Sequence, residues 1–455
     1  MAEGRSGLLN APTGYGKTFA VWFGVLQRYY RQERSKKGVH CLWITPLRAL
    51  SAEILQATQG VSADLELDYR IALRTGDTDQ TERQRQRRAA PEALITTPES
   101  VHLLLASKGY RDFFAGLEVV VVDEWHELLG SKRGVLVELA LSRLRAICPG
   151  LQVWGISATI GNLTEAMAIL LGPAAETGAL IRADLKKNIH METLLPDILD
   201  RFPWAGHLGT RLLEKVLPII EAHRSTLLFT NTRSQAEIWY HRLLDAAPQL
   251  AGALAIHHGS LSEELRLWVE EALHQGSLKA VVCTSSLDLG VDFRPVDCVI
   301  QIGSPKGISR FVQRAGRSGH RPGETSTIYF LPTHSLEIME GAAIRHAVQE
   351  GLLEQRLPYV RSFDVLVQYM VTLAVSDGFR ADELFAEIRQ THCFSTITRE
   401  EFDECLLLVT QGGRMLDTYE EFHKVVVDDG VFRVTSRRVA MRHRLSIGAI
   451  VSEAM

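Results

Sequence analysis

Four consecutive valines, Val119 to Val122, run directly into Asp123, Glu124, Trp125 and His126, and no other tract narrows so far what this chain can fold into. A strand apolar at every position is buried on both faces, which restricts it to the interior of a parallel sheet covered by helices. Carboxylates at its C-terminal end then stand where open α/β sheets collect ligands. A second tract, about 105 positions upstream, fits the same sheet. There Ala11-Pro12-Thr13-Gly14-Tyr15-Gly16-Lys17-Thr18 separates a short apolar strand from the helical stretch FAVWFGVLQRYY. Loop amides and a helix N-terminus in that arrangement cradle phosphates. Lys17 is placed to meet terminal phosphates and Thr18 to hold magnesium, while Ala11 occupies the first glycine of the general pattern. The phosphate-binding candidates are thus Thr13, Gly14, Gly16, Lys17, Thr18 and Asp123, with Thr18 and Asp123 as metal ligands and Glu124 as the group that activates water. Alone, a Gly-Lys-Thr turn or an acidic strand end is unremarkable; together, in this order, the two tracts support each other.

The rest of the chain repeats that architecture. LLN, CLWITP, YRIALRTG, ALITTP, EVVVVDE and QVWGISAT read as buried strands separated by helical stretches, and STLLFTN, ALAIHHG, KAVVCTS, CVIQIGSP and TIYFLP form a second series. Two α/β units in tandem are implied. The segment KKNIHMETLLPDILDRFPWAGHL, with Pro196 and Pro203, reads as the crossing between them. After about Gly341 the texture becomes helical (FDVLVQYMVTLAV, ADELFAEIRQ, REEFDECLLLVTQ) and ends in HKVVVDDGVFRVT, a hairpin turning at DDG, so a winged helix is expected. The expected units are residues 1–183, 184–345 and 346–455, that is, an α/β fold of two parallel sheets flanked by helices, followed by a winged-helix-like domain.

In Gln313-Arg314-Ala315-Gly316-Arg317-Ser318-Gly319-His320, Arg314 and Arg317 are three apart and share a face if the stretch is helical. Two cations delivered from the second unit would suit charge developing on a transferred phosphoryl group. The net charge of −4 announces no polyanion partner, so a nucleic-acid site must be a local groove. Arg83, Arg85, Arg87 and Arg88 are the densest basic cluster, but on a helix they scatter around the surface and read as a solvated face. Trp125 and Trp154 read as core. The six cysteines form no CxxC pair, which indicates neither a zinc site nor a disulfide framework. No run approaches a membrane span and the first residues lack a signal-peptide layout, so a cytoplasmic protein with no membrane partner is expected.

At these residues the chain resembles superfamily 2 DExH-box helicases. Besides the tracts above it carries Thr45-Pro46-Leu47-Arg48-Ala49-Leu50, Thr97-Pro98-Glu99-Ser100, Ser157-Ala158-Thr159, Phe229-Thr230-Asn231-Thr232-Arg233 and TSSLDLGVD from Thr284 to Asp292, in the family's order. More narrowly, Arg74-Thr75-Gly76-Asp77-Thr78, ETLLPDILDRFPWAGHL, His257-His258-Gly259-Ser260-Leu261-Ser262 and VFRVTSRRVAMRHRLSIGAIVSEAM look like the large helicase-related family, in its ligase-associated branch. The resemblance implies two RecA-like lobes using ATP and Mg2+, an ATP-driven 3′ to 5′ translocase on single-stranded DNA or a duplex with a 3′ tail, and a DNA-repair setting with a ligase or nuclease as partner. It implies strand contacts by Pro46, Leu47, Arg48, Thr75, Gly76, Thr97 and Pro98 on the first lobe, and by Thr230, Asn231, Arg233, His258, Gly259, Thr284 and Ser285 on the second. It further implies that Asp292 touches the nucleotide, that His126, Ser157, Thr159 and Gln313 couple the two sites, and that Arg314 and Arg317 are catalytic with Glu124.

The chain departs from the family at both ends. Little precedes the phosphate loop where relatives carry an adenine-reading glutamine, and the sequence stops soon after the winged helix where relatives continue into another domain. A truncated chain with weak discrimination of ATP from GTP is the corresponding expectation. Two rivals accompany the main reading: an RNA or RNA:DNA-hybrid helicase, since phosphate contacts do not distinguish sugars, and a strand-binding scaffold inactivated by truncation.

Overall fold

In a computed structural model of the chain, all residues are described except 2, 13, 32–37, 159, 184–187, 198–208, 289–295, 320–323, 413–423 and 449–455. Thr13, Thr159 and Asp292 therefore lie outside the described residues, as does most of the expected crossing.

The first lobe is a seven-stranded parallel sheet of β1 (Gly7–Asn10), β2 (Cys41–Ile44), β3 (Ile71–Arg74), β4 (Ala93–Thr96), β5 (Val119–Val122), β6 (Gln152–Ser157) and β7 (Ala179–Arg182). Its order is β3-β4-β2-β5-β6-β1-β7, and β2, β4, β5 and β6 are buried at every position, as the valine run demands. The second lobe has six parallel strands, β8 (Ile189–Thr193), β9 (Thr226–Phe229), β10 (Leu254–His257), β11 (Ala280–Cys283), β12 (Cys298–Ile302) and β13 (Ser326–Leu331), in the order β10-β11-β9-β12-β13-β8.

Two strands differ from the sequence expectation. β8 lies inside the segment read as a crossing, yet it pairs in parallel with β13 and completes the second sheet. β7 likewise adds an outer strand beside β1. Both are edge strands without a single buried residue, so neither presents the apolar run by which the interior strands declare themselves.

The third unit is a winged helix. Helices Phe363–Val375, Ala381–Ile388 and Arg399–Gln411 accompany an antiparallel sheet of β14 (Phe379–Arg380), β15 (Val426–Asp428) and β16 (Val431–Arg433), in the order β14-β16-β15. Asp429 (φ 49°) and Gly430 (φ 72°) form the hairpin turn, left-handed at both positions as a tight two-residue connection requires. The division expected after residue 345 falls inside the helix Ser335–Glu350.

This unit is not hung on a flexible linker. Helix Phe363–Val375 buries Val365, Leu366, Tyr369, Met370 and Leu373 in one continuous apolar core with helices Pro98–Leu105 and Lys132–Ile147 of the first lobe. A polar rivet crosses the same seam: Arg143 pairs with Glu387 at 3.2 Å, and the Tyr369 hydroxyl donates to Glu387 at 3.1 Å. Burial pushes Glu138 up to about 8, while the Cys393 amide donates to its carboxyl at 3.0 Å. The second lobe has separate cores of its own. Truncating the fully buried Leu366 to Ala should cost about 2–5 kcal/mol. Amide exchange should speed up in β5 of the first lobe as well as in the winged helix, and stay unchanged in β9, because only the first two share the disturbed core.

Candidate nucleotide and strand site

Every strand of both sheets points the same way, so each sheet has a single C-terminal edge, and the motifs are distributed along it in two blocks. On the first lobe β5, β6 and β1 carry Asp123, Ser157 and the phosphate loop, whereas the neighbouring β2, β4 and β3 end at Pro46–Arg48, Thr97–Pro98 and Thr75–Gly76. Adjacent strands sit roughly 4.8 Å apart, so the second block forms a row beside the first. The second lobe repeats this layout. β9, β11 and β10 end at Thr230–Arg233, Thr284–Ser285 and His258–Gly259, and β12 leads to the helix Ile308–Ala315 that carries Gln313 and Arg314.

In the phosphate loop Gly14 (φ 85°) and Gly16 (φ 70°) adopt the left-handed conformation that keeps side chains out of the cradle, and a Cβ at Gly16 would meet nothing. Lys17 is 9% exposed and donates to the Pro12 carbonyl at 3.0 Å. Burial pulls its ammonium below the ordinary value, Glu124 and Asp123 oppose that, and the Arg317 guanidinium of the facing lobe adds to the depression. The charge of Arg317 is thus felt across the cleft at Lys17.

Asp123 is held at both oxygens, by Trp43 Nε1 at 3.2 Å and by the Glu124 amide at 2.8 Å. Burial and the adjacent Glu124 carboxylate push it up to about 7, and a divalent cation is the charge such a pair fits. Glu124 has φ 45°, a left-handed backbone rare for a residue with a side chain, at the start of helix Trp125–Leu129. Strain of this kind costs of order 1–3 kcal/mol and concentrates at functional sites. Its Oε2 is buried without a hydrogen bond. Among the described residues no three His, Cys, Asp or Glu side chains converge as a metal cage. Mg2+ suits such a site, since it takes one or two protein ligands and completes its shell with phosphates and water.

His126, fully buried, joins the motifs across the cleft. Its Nδ1 accepts from the Ala158 amide at 3.3 Å and lies 3.4 Å from Ser157 Oγ, while its Nε2 lies 2.6 Å from Gln313 Nε2 of the second lobe. His126, Ser157 and Gln313 are therefore one contact chain.

Arg314 and Arg317 do not share a role in space. Arg314 is 1% exposed; its Nε and Nη2 grip Asp288 at 2.7 and 3.1 Å, its Nη1 donates to Gln301 at 2.7 Å, and its guanidinium covers the Phe229 ring at 4.7 Å. All of these partners belong to its own lobe. Arg317 Nη2 donates to the Asp288 carbonyl at 2.6 Å. Of the two, Arg317 is the one whose charge is felt at Lys17.

The strand-end residues divide in a similar way. Arg48 lies over Gly76 and pairs with Asp77 at 2.6 Å. Arg83 donates to the carbonyls of Thr75 and Gly76 at 3.0 and 2.9 Å. Gly259 and Ser285 are open, whereas Thr230 is fully buried with its hydroxyl donating to Cys283 O, and the Asn231 amide is committed to Ser304 O at 2.7 Å. Arg233 pairs with Glu237 at 2.9 Å.

Sequence reasoning missed Glu354. It lies in the extended strap 352–361, outside any periodic element. Its carboxylate receives the amides of Ile308 and Ser309 and the Ser309 hydroxyl, capping the helix of Gln313 and Arg314. The strap's backbone meanwhile binds the first lobe. The Gly161 amide donates to Glu354 O at 3.0 Å, and the Asn162 side chain exchanges hydrogen bonds with Arg356 O and N at 3.0 and 2.9 Å. A Cβ at Gly161 would stand 2.5 Å from Leu353 O.

Residues 1–166 match the DEAD/DEAH box helicase family, 210–322 the helicase conserved C-terminal domain, and 346–455 the winged helix domain of large helicase-related protein. The chain is 32% identical to the ATP-dependent helicase Lhr-Core of Methanothermobacter thermautotrophicus, over 98% of its own length and 54% of the relative's. It is 30% identical to the Lhr helicase/probable uracil glycosylase of Mycolicibacterium smegmatis, over 100% of its length and 33% of the relative's. The structure of Mycobacterium smegmatis helicase Lhr bound to ssDNA and AMP-PNP superposes with a TM-score of 0.86 at 30% identity, covering 100% of this chain and 59% of that one. The DUF1998 helicase MrfA bound to DNA shares the fold, with a TM-score of 0.76 at 20% identity over 99% of this chain and 60% of that one. The fold and the cleft define a two-lobed helicase motor of the DEAD/DEAH-box class. Within that class the chain belongs to the large helicase-related (Lhr) family, and it spans about half the length of the archaeal Lhr-Core relative.

Replacing Glu354 by Ala leaves two backbone amides at a helix start without an acceptor, a loss of roughly 1–3 kcal/mol. Exchange of the Ser309 amide should accelerate accordingly, with β5 amides unaffected.

Proposed function

We propose that the chain is a nucleic-acid-stimulated ATPase that moves 3′ to 5′ along single-stranded DNA and separates duplexes. The observation that carries this reading is the buried contact at 2.6 Å between His126, just beyond the Asp123–Glu124 pair, and Gln313 of the opposite lobe, which brings the lobe of Arg317 onto the lobe of Lys17 and the two adjacent carboxylates. A polyphosphate bound there would bridge the lobes, so hydrolysis would be tied to their closure. DNA is preferred over RNA because the Mycobacterium smegmatis relative, of closely similar fold, is bound to ssDNA. Polarity, the repair setting and a ligase or nuclease partner rest on the family resemblance alone.

In this reading the loop amides and Lys17 hold the phosphates, and Thr18 and Asp123 hold Mg2+. When bound, the metal neutralises phosphate oxygens. Glu124 receives the proton of the attacking water as the bond from the γ-phosphorus to its bridging oxygen breaks and ADP leaves. Arg317 stabilises the charge on the transferred group. Arg314 acts as a positioning residue: clamped to Asp288, whose carbonyl also receives Arg317, it sets where that guanidinium points. The strand-end rows grip successive backbone phosphates through amides and short polar side chains without reading bases. His126, touching both Ser157 and Gln313, transmits closure between the sites.

Turnover measured with no nucleic acid, single-stranded DNA and single-stranded RNA tests the reading. DNA should stimulate most; equal rates in all three would overturn it, and stimulation by RNA alone would favour the RNA-directed rival. Lys17→Ala should weaken nucleotide binding, whereas Glu124→Gln should bind ATP and leave it uncleaved. The two arginines should separate. Arg317→Ala should lower kcat by roughly 10³ to 10⁵ with nucleotide affinity nearly kept, while Arg314→Ala should also lower the melting temperature, because it leaves the buried Asp288 carboxylate without its main partner.

A further inference from the structure

Helix Gln80–Arg88 carries the basic cluster that reads in sequence as a solvated face, but its surroundings are not those of one. Beneath it Arg74, at the end of β3, is 5% exposed, and its charge is met by an amide oxygen, Gln86 Oε1, at 3.4 Å. Burial, then Arg87 and Arg83, push that guanidinium down to about 10. Arg87 Nη2 donates to Ser107 Oγ at 2.7 Å. On the neighbouring residue, the Ala106 carbonyl receives both Nε and Nη2 of Arg444, at 3.2 and 2.9 Å, from helix Arg437–Ser446 beyond the winged helix. Arg444 is pulled below its ordinary value by burial and by Arg87.

Arg87 and Arg444, one from the first lobe and one from the C-terminal unit, thus bond neutral oxygens on the adjacent residues Ser107 and Ala106, and Arg87 also lies within electrostatic reach of the buried Arg74. The acids nearby are engaged elsewhere. Glu82 stands 3.8 Å from Arg85 and accepts from Gln86 at 3.2 Å, and Asp377 receives the Gly109 amide at 3.5 Å. Like charges held this close destabilise one another unless an anion lies between them. Lys108, Arg88, Arg438 and Arg442 are exposed in the same elements or the loop beside them, and extend the positive field. Arg83 ties the cluster to the Thr75–Gly76 turn, at the end of the strand-binding row.

We propose that Arg87 and Arg444, with Arg74 beneath them, hold a backbone phosphate of the bound strand at the seam between the first lobe and the C-terminal unit. The proposal rests on the nucleic-acid reading above and adds to it a contact shared by two units. A phosphodiester suits the place because it is a compact anion, presented in series by a strand that already passes Thr75 and Gly76.

The test is the salt dependence of single-stranded DNA affinity, measured by fluorescence anisotropy on the whole chain. Loss of the phosphate contact should reduce the slope of log K against log salt by about 0.7, and because Arg87 and Arg444 share one phosphate, Arg87→Gln and Arg444→Gln together should reduce it by about that amount. Affinity should fall several-fold at low salt and converge with wild type at high salt. Arg444→Lys should recover most of its share. Arg85→Gln, exposed and beside Glu82, should leave the slope unchanged. If Arg444→Gln lowers the melting temperature, Arg87→Gln carries the test alone. An unchanged slope in Arg87→Gln, or an equal loss in Arg85→Gln, overturns the site. No affinity for DNA in the wild-type chain would instead sink the nucleic-acid reading, and this site with it.

Discussion

The structure depends on one apolar core that does not stop at a domain boundary. Leu139 and Leu144 of the first lobe and Leu366, Met370 and Phe394 of the winged helix are buried in the same cluster. Burial at roughly 25 cal/mol per Å² of apolar surface makes such a seam far stronger than any single polar contact between the units. The first lobe and the winged helix therefore behave as one body. Among the described residues, the second lobe meets that body through polar contacts of Gln313 and the strap. Polar contacts of this kind re-form at low cost when exposed to water. The molecule is thus divided mechanically into two bodies, where its sequence reads as three units.

That division gives the cleft its chemistry. Asp123, Glu124 and Ser157 lie at the ends of strands of one sheet, and Lys17 begins the helix that follows another, so the groups proposed to hold nucleotide, metal and water are fixed relative to one another. Arg317, proposed to complete the site on closure, lies on the other body. Arg314 shows how arrival is kept accurate: its guanidinium is spent on Asp288, Gln301 and the Phe229 face. The carbonyl of the same Asp288 receives Arg317. Two arginines three positions apart divide between an internal brace and a group facing the opposite lobe.

How much of this was legible in sequence follows from which forces leave a local trace. β5 and the Asp123–Glu124 pair were readable because burial on both faces writes a continuous apolar run, and the hairpin at Asp429–Gly430 because left-handed turns demand a few residue types. β7 and β8 were not, since edge strands are only partly covered. The differing fates of Arg314 and Arg317 were invisible, because helical spacing predicts a shared face but says nothing of Asp288 and Gln301, which return to the site from elsewhere in the chain. The same holds for Arg87. A helix wheel scatters its cluster over the surface, and only the approach of Arg444, 357 positions later in the chain, shows that one side of that helix is occupied by a like charge. Glu354 had no periodicity to be noticed by.

The strap around Glu354 has a consequence for exchanging parts between relatives. A graft that took the winged helix from another family member and joined it after the helix Ser335–Glu350 would import a foreign strap. Its carbonyls would have to lie where those of Leu353 and Glu354 now fill the space beside Gly161. Conversely, a splice placed after residue 361 would keep the strap and cut the chain at the start of the shared core instead. Neither seam is neutral. A transplantable piece would have to carry, besides the winged helix and the strap, their partners Gly161, Asn162 and the first turn of the Ile308–Ala315 helix and the core-sharing helices Pro98–Leu105 and Lys132–Ile147, a unit contiguous in space but assembled from separate stretches of sequence.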